Sequence, residues 1–252
     1  MADRRLLLVF AHPDDETVFA AGVSSRYSEA GVRVGLCTAT LGDRGKRGQP
    51  PICEPGELGR VRQAELVEAA RIIGVSMLRV FGYPDRGLVS ASVDLIRAQL
   101  VEAVRALRPQ VVITFDPNGT NLHPDHVAVS RFTSEAVAAA ADARWLPDLG
   151  AVHRVSRLLW TVPVRPWVLL RQGDPALAPG VDFVVDVAKW SERKIKALRA
   201  HRTQHMALDR IFLRQPDLPR LLSVEVFRQA WGPALPARPV QDLFGGIAIE
   251  RP

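Results

Sequence analysis

Two short runs of unbroken apolar residues, LLLVFA at 6–11 and VVITF at 111–115, stand out along the chain. Runs of this length, bounded by polar turns, predict strands buried on both faces. Helical spacing follows the first run from 14 to 30 and ends at Gly31, a C-cap signal. The alternation continues with a strand over 32–40 and a helix over 58–73 closed by Gly74. A strand over 78–81 comes next, then a helix over 92–107 stopped before Pro109. The second apolar run leads into an alanine-rich helix over 123–141. Strand and helix in strict alternation, joined by right-handed crossovers, predict an α/β fold with a mostly parallel sheet covered by helices on both faces. Ligands of such sheets sit beyond the carboxyl ends of the strands. The residues just after Ala11, Thr40, Phe81 and Phe115 are therefore expected on one rim.

The second half is less regular. Strands are expected at 158–162 and 183–187 and a helix at 188–205. Beyond 213 the prolines Pro216, Pro219, Pro233, Pro236 and Pro239 break any period. The pattern predicts a single domain over 1–252. Its core would span 1–145, and a smaller irregular C-terminal lobe over 146–252 would cover part of the site. The loop at 41–57 is long for a compact domain, and loops of that length are usually functional.

Composition narrows the class. The 252 residues are 47% hydrophobic and 24% charged, as in an ordinary globular protein. That excludes disorder and coiled coil as the main theme. Two cysteines, Cys37 and Cys53, cannot build a disulfide framework or a four-thiolate zinc site. No apolar run reaches the length of a membrane span, and no leader-like segment opens the chain. A cytoplasmic protein is the expectation. The net charge is +6, but 29 of the 33 cations are Arg and they form no block. A small anionic substrate explains this better than a nucleic-acid partner. A homo-oligomer is left open.

The chemistry is concentrated in two segments. HPDDE at 12–16 follows the first buried strand and opens a helix, and HPDH at 123–126 follows the second. Each alone reads equally as a solvated turn with a helix cap. Together, at the ends of strands in one sheet, they supply a His₂-carboxylate set in His12, Asp15 and His126. That set matches a catalytic zinc site with an open position, and iron(II) accepts it too. Calcium or magnesium would ask for more oxygen. Competing signatures are missing: no dinucleotide fingerprint follows the first strand, and there is no G-x-S-x-G elbow and no P-C-x-x-C.

These segments resemble the PIG-L / LmbE-like family of zinc-dependent N-acetylglucosamine deacetylases. The likeness covers AHPDDE, TLGDRG at 40–45, LGR at 58–60 with Arg62, YPD at 83–85, ITFD at 113–116, HPDH, and KAL at 196–198 before HRTQ at 201–204. It implies a Rossmann-like fold and hydrolysis of the acetamide of a small amino-sugar substrate. It also implies His12, Asp15 and His126 as zinc ligands, Asp14 as general base and His123 as stabiliser of the oxyanion. Arg62 and Asp85 match positions that hold the sugar. Some relatives carry a tyrosine two residues before HPDH; here it is Asn121, a shorter hydrogen-bond donor. PDRGL at 84–88 resembles the form in deacetylases of bacillithiol synthesis, which implies an N-acetylglucosaminyl malate substrate facing Arg44, Arg47 and Arg86. A zinc amidase on another amide, or a metal-stabilised binding module without catalysis, is the alternative.

Within this frame Asp125 is expected to hold the second nitrogen of His123 and favour its imidazolium. Glu16 would support a ligand or merely charge the helix start. His201 and Gln204 share a helical face and would line the site or pack there. Arg60 is expected in solvent, and His153 and His205 at the surface or in packing. Cys37 and the five tryptophans, Trp145, Trp160, Trp167, Trp190 and Trp231, are expected in the core.

Overall fold

The computed structural model describes residues 3–162, 180–235 and 237–248. Trp167 lies outside them. Among the described residues seven strands form one sheet: β1 (Arg5–Phe10), β2 (Arg33–Thr40), β3 (Val75–Tyr83), β4 (Val111–Thr114), β5 (Arg157–Thr161), β6 (Phe183–Asp186) and β7 (Val224–Trp231). Their order is β3-β2-β1-β4-β5-β7-β6. The first five are parallel, and β7 runs antiparallel to both β5 and β6. The main helices are α1 (Asp15–Glu29), α2 (Leu58–Ile72), α3 (Val93–Leu107), α4 (Pro124–Ala140) and α5 (Ser191–Ala200). None is long and apolar enough to cross a membrane.

The two apolar runs are the centre of the sheet. Leu6, Leu7 and Leu8 pair with Val111, Val112 and Ile113, and all six are fully buried. Chain order reverses here, since β2 lies on one side of β1 and β4 on the other. A crevice therefore opens at the carboxyl ends of β1 and β4. The segments at 12–16 and 119–126 leave from those two ends, which is why residues more than a hundred apart in sequence can meet. Ser92 caps α3 by accepting from the Leu95 N–H.

Three expectations change. The strand read at 78–81 extends to Val75–Tyr83. The helix read at 188–205 begins with a tight turn, Ala188–Trp190, and α5 stops at Ala200 before His201. The largest change is β7, an eight-residue strand in a stretch read as irregular. β5, β6 and β7 extend the sheet that starts with β1, so the second half is built onto the same layer. Its least regular described parts are 201–223, which holds only short helical turns, and 232–235 with 237–248. Cys37 is buried as expected. None of the four described tryptophans is fully buried: Trp145 and Trp231 are exposed, Trp160 is half-buried, and Trp190 is half-buried against the edge of the core. Arg97 covers the ring of Trp145 and Lys189 that of Trp190, so cation–π contacts at the surface take the place of burial.

Candidate active site

The turn after β1 carries His12, Pro13 and Asp14 into α1. Asp15 opens the helix, and its Oδ2 accepts the His12 backbone N–H at 2.7 Å. Asp14 has φ 116°, a region that residues with a Cβ avoid at a cost of about 1–3 kcal/mol. The turn after β4 ends in His123, which caps α4 by accepting the Asp125 N–H on Nδ1 at 3.2 Å. The two turns bring three groups together. His12 Nδ1 lies 3.1 Å from His126 Nε2. Asp15 Oδ2 is 3.5 Å from His12 Nδ1, and Asp15 Oδ1 is 3.5 Å from His126 Nε2.

What these atoms carry decides what fits between them. His126 Nδ1 donates to the Gly119 carbonyl at 3.1 Å, which leaves Nε2 with its lone pair. His12 Nε2 donates to Asp125 Oδ2 at 3.2 Å and lies 3.2 Å from Asp85 Oδ1, which leaves Nδ1 with its lone pair. Two lone pairs and a carboxylate, all more than nine-tenths buried, thus face one another with no donor between them. Such a set needs a positive charge at its centre. Ligands at about 2.0–2.1 Å around a tetrahedral zinc are themselves about 3.3 Å apart, which matches this spacing. The donor set therefore fits a divalent transition metal. The protein groups alone respond in the same sense. Burial opposes a charge on His12, yet Asp125, Asp15 and Asp85 push its pKa well above the usual value. Burial also opposes ionisation of Asp15, but His126 and His12 hold its carboxyl well below the usual range. His123 adds a third ring, 4.7 Å from His12 and 4.9 Å from His126 between centroids.

Asp14 stands beside this cluster. Burial pushes its carboxyl up to about 6, against the pull of Arg62. Arg62 is 3% exposed, and its Nη2 lies 3.2 Å from Asp14 Oδ1 and donates to the Pro13 carbonyl. Its Nη1 donates to the Gly42 carbonyl at 2.9 Å. Gly42 has φ +60°, and a Cβ there would lie 2.2 Å from Nη1, so only glycine fits under the guanidinium.

Other expected residues fall differently. Asp125 does not hold the His123 ring with its carboxylate, which is a correction. Its oxygens face His12 Nε2 and accept the N–H groups of Arg86 at 2.5 Å and Leu88 at 3.1 Å. Those two amides draw the side chain away from His123. Nor is His123 pushed toward the imidazolium: burial and His12 lower its pKa. Asp85 is buried at the site, with its N–H donating to Asp43 Oδ1 at 2.8 Å. Arg44 and Arg86 are exposed, and Asn121 is exposed with its Oδ1 accepting the His123 N–H at 3.0 Å. Arg60 faces solvent and pairs with Glu57.

Some supporting residues escape sequence reasoning. Asp116 accepts the N–H groups of Asn118 and Thr120 at 3.1 and 2.5 Å, and so shapes the turn that presents the Gly119 carbonyl to His126. Gly119 has φ +63°, and a Cβ there would meet His126 Cβ at 2.7 Å. Glu16 is fully buried between Asp14 and His201. Both residues stand in motifs singled out in the sequence, HPDDE and HRTQ, but their contact with each other does not show there.

Comparison with known proteins agrees with this geometry. The profile of the PIG-L family, described as GlcNAc-PI de-N-acetylase, matches residues 7–137. A 1D-myo-inositol 2-acetamido-2-deoxy-alpha-D-glucopyranoside deacetylase of Streptomyces griseus is 34% identical, with 97% of this chain and 89% of the relative covered. One of the same name from Rhodococcus jostii is 35% identical over 81% of this chain and 82% of its own. Both relatives' names specify inositol, where the sequence reading of this chain expected malate. The fold is also that of N,N'-diacetylchitobiose deacetylase from Pyrococcus horikoshii. That structure superposes with a TM-score of 0.70 at 23% identity, over 90% of this chain and 83% of its own.

Proposed function

The chain belongs to the PIG-L family of de-N-acetylases, and on that premise we propose that it hydrolyses the acetamide of a GlcNAc-containing small molecule whose anomeric substituent is an inositol. His12 Nδ1, Asp15 and His126 Nε2 hold the metal, and zinc suits that set best. The observation that carries this reading is the approach of His12 Nδ1 to His126 Nε2 at 3.1 Å, with an Asp15 oxygen 3.5 Å from each. When bound, the metal supplies a Lewis acid for the acetyl carbonyl and lowers the pKa of water.

The chain's own residues do the rest. Asp14, pushed up to about 6, is suited to take a proton from the attacking water and return it to the leaving amine. Arg62 acts on Asp14 rather than on sugar, because its guanidinium is buried and engaged by Pro13, Gly42 and Asp14. His123 accepts on Nδ1 and so keeps Nε2–H to donate to the developing oxyanion as a neutral ring. Asp85 turns Oδ1 toward His12 Nε2 at 3.2 Å, which leaves Oδ2 to accept from a sugar hydroxyl. The inositol assignment rests on the relatives' names.

The test is amine release from N-acetylglucosamine linked to inositol, linked to malate, and free. The inositol conjugate should exceed both others in kcat/KM by at least about tenfold. A preference for malate would overturn the substrate, and no release from any of the three would overturn the activity.

A further inference from the structure

The chemistry above makes no use of HRTQ at 201–204, yet the side chains of His201, Thr203 and Gln204 are buried among charged and polar partners. His201 follows the end of α5 and is fully enclosed. Its Nε2 donates to Glu16 Oε1 at 2.7 Å. Glu16 is also fully enclosed, and its Oε2 accepts the backbone N–H of Asp14 at 3.1 Å. Thr203 donates through N and Oγ1 to the two oxygens of Glu65, at 2.9 and 2.7 Å. Glu65 stands three residues beyond Arg62 on α2, hence on the same face of that helix. Gln204 Nε2 donates to the Lys46 carbonyl at 2.7 Å, in the loop that carries Gly42.

These contacts converge. Asp14 has three supports: its own strained backbone, the guanidinium of Arg62, and the Gly42 loop under that guanidinium. HRTQ reaches the Asp14 backbone through Glu16, the face of α2 that carries Arg62 through Glu65, and the Gly42 loop through Lys46. A left-handed Asp persists only where its surroundings over-determine it, and α1 alone does not supply that.

We infer that His201, Thr203 and Gln204 are a positioning unit for the proton acceptor Asp14. They bond to neither the metal-binding set nor the groups offered to substrate, and they act through Glu16, Glu65 and Lys46. The inference rests on the reading of Asp14 as the base. It predicts that damage at 201–204 slows turnover without loosening substrate or metal, which mere packing would not do.

The experiment compares His201→Leu and His201→Gln in the metal-loaded enzyme, reading kcat, KM, bound metal per chain and Tm. Leucine removes the donor to Glu16, whereas glutamine keeps an N–H that can reach it. His201→Leu should lower kcat about a hundredfold, the size expected of a misplaced group about 1 Å out of position. KM should stay within about threefold, and bound metal should be unchanged. His201→Gln should recover at least about tenfold of that loss. The inference is overturned if folded His201→Leu keeps kcat within about threefold of wild type, if lost activity tracks lost metal, or if glutamine gives no recovery. Should His201→Leu fail to fold, Thr203→Val against Thr203→Ser decides by the same readouts, with Val slowed and Ser near wild type. Asp14→Asn is the control: if it turns over normally, the base assignment has failed rather than the positioning unit.

Discussion

Helix α1 touches two buried charged clusters that behave oppositely. Midway along it, Lys194 and Glu225 form an ion pair at 2.7 Å, both about 3% exposed. Lys194 also donates to the Val18 carbonyl at 3.0 Å, and Glu225 accepts the N–H groups of Gly22 and Val23, each at 2.8 Å. Donors meet acceptors and the charges cancel. At the start of the same helix, His12, Asp15 and His126 turn acceptors toward acceptors. Burial is equal, but the balance is not. A closed cluster ties α1 to α5 and β7, whereas an open one asks for a cation. Unbalanced burial, rather than burial of charge as such, sets the proposed metal site apart.

Substitutions at His126, Asp14, Lys194, Glu225 and Gly42, and one alkylation, test this contrast. The largest effect belongs to the open cluster: His126→Ala should lose bound metal and at least about a thousandfold in amine release. Asp14→Asn, measured by the same assay, should lose about 10²–10⁴-fold while keeping its metal. Metal retained in His126→Ala would show that the ligands lie elsewhere.

The closed cluster should answer in stability instead. Lys194→Met leaves the Glu225 carboxylate buried and unpaired, and should cost about 3–5 kcal/mol in denaturant unfolding. Adding Glu225→Gln should return part of that, and bound metal should be the same in both. If Lys194→Met sheds metal while folded, the two clusters are not independent.

A smaller effect is expected at Gly42. The Cβ of Gly42→Ala must displace the Arg62 guanidinium. Turnover should fall about tenfold with bound metal and KM little changed. The smallest effect is chemical. Burial pushes the Cys37 thiol up to about 12, so it stays protonated and shielded at pH 8. Alkylation of the native protein should modify Cys53 alone, and both cysteines only after unfolding.

The parts of the molecule legible in sequence are those where one period or one short motif carries the information. The runs at 6–11 and 111–115 announce β1 and β4 because both faces are buried and no charged residue interrupts them. HPDDE and HPDH are legible as a pair because both leave the same rim. β7 was not legible because Glu225 is buried: a carboxylate among core positions disguises the strand, and only Lys194, thirty-one residues earlier, neutralises it. The place of Asp125 was hidden for another reason. Its partners are the backbone amides of Arg86 and Leu88, and no side-chain pattern reports a backbone donor. Nothing in the sequence sets Arg157 and Arg105 apart from the other arginines, but both are buried. Arg157 donates to the Leu243 and Gly245 carbonyls, and Arg105 to those of Asp142, Trp145 and Leu146. Part of the positive charge therefore braces loops rather than facing a ligand.

The central claim is that one divalent ion completes the open cluster and that deacetylation depends on it. Stripping the protein with a chelator and titrating zinc back, with amine release followed at each addition, tests this most directly. Activity should rise linearly and break at one equivalent per chain, with no such break in His126→Ala. Full turnover by the stripped protein, or an unchanged titration in His126→Ala, would contradict it.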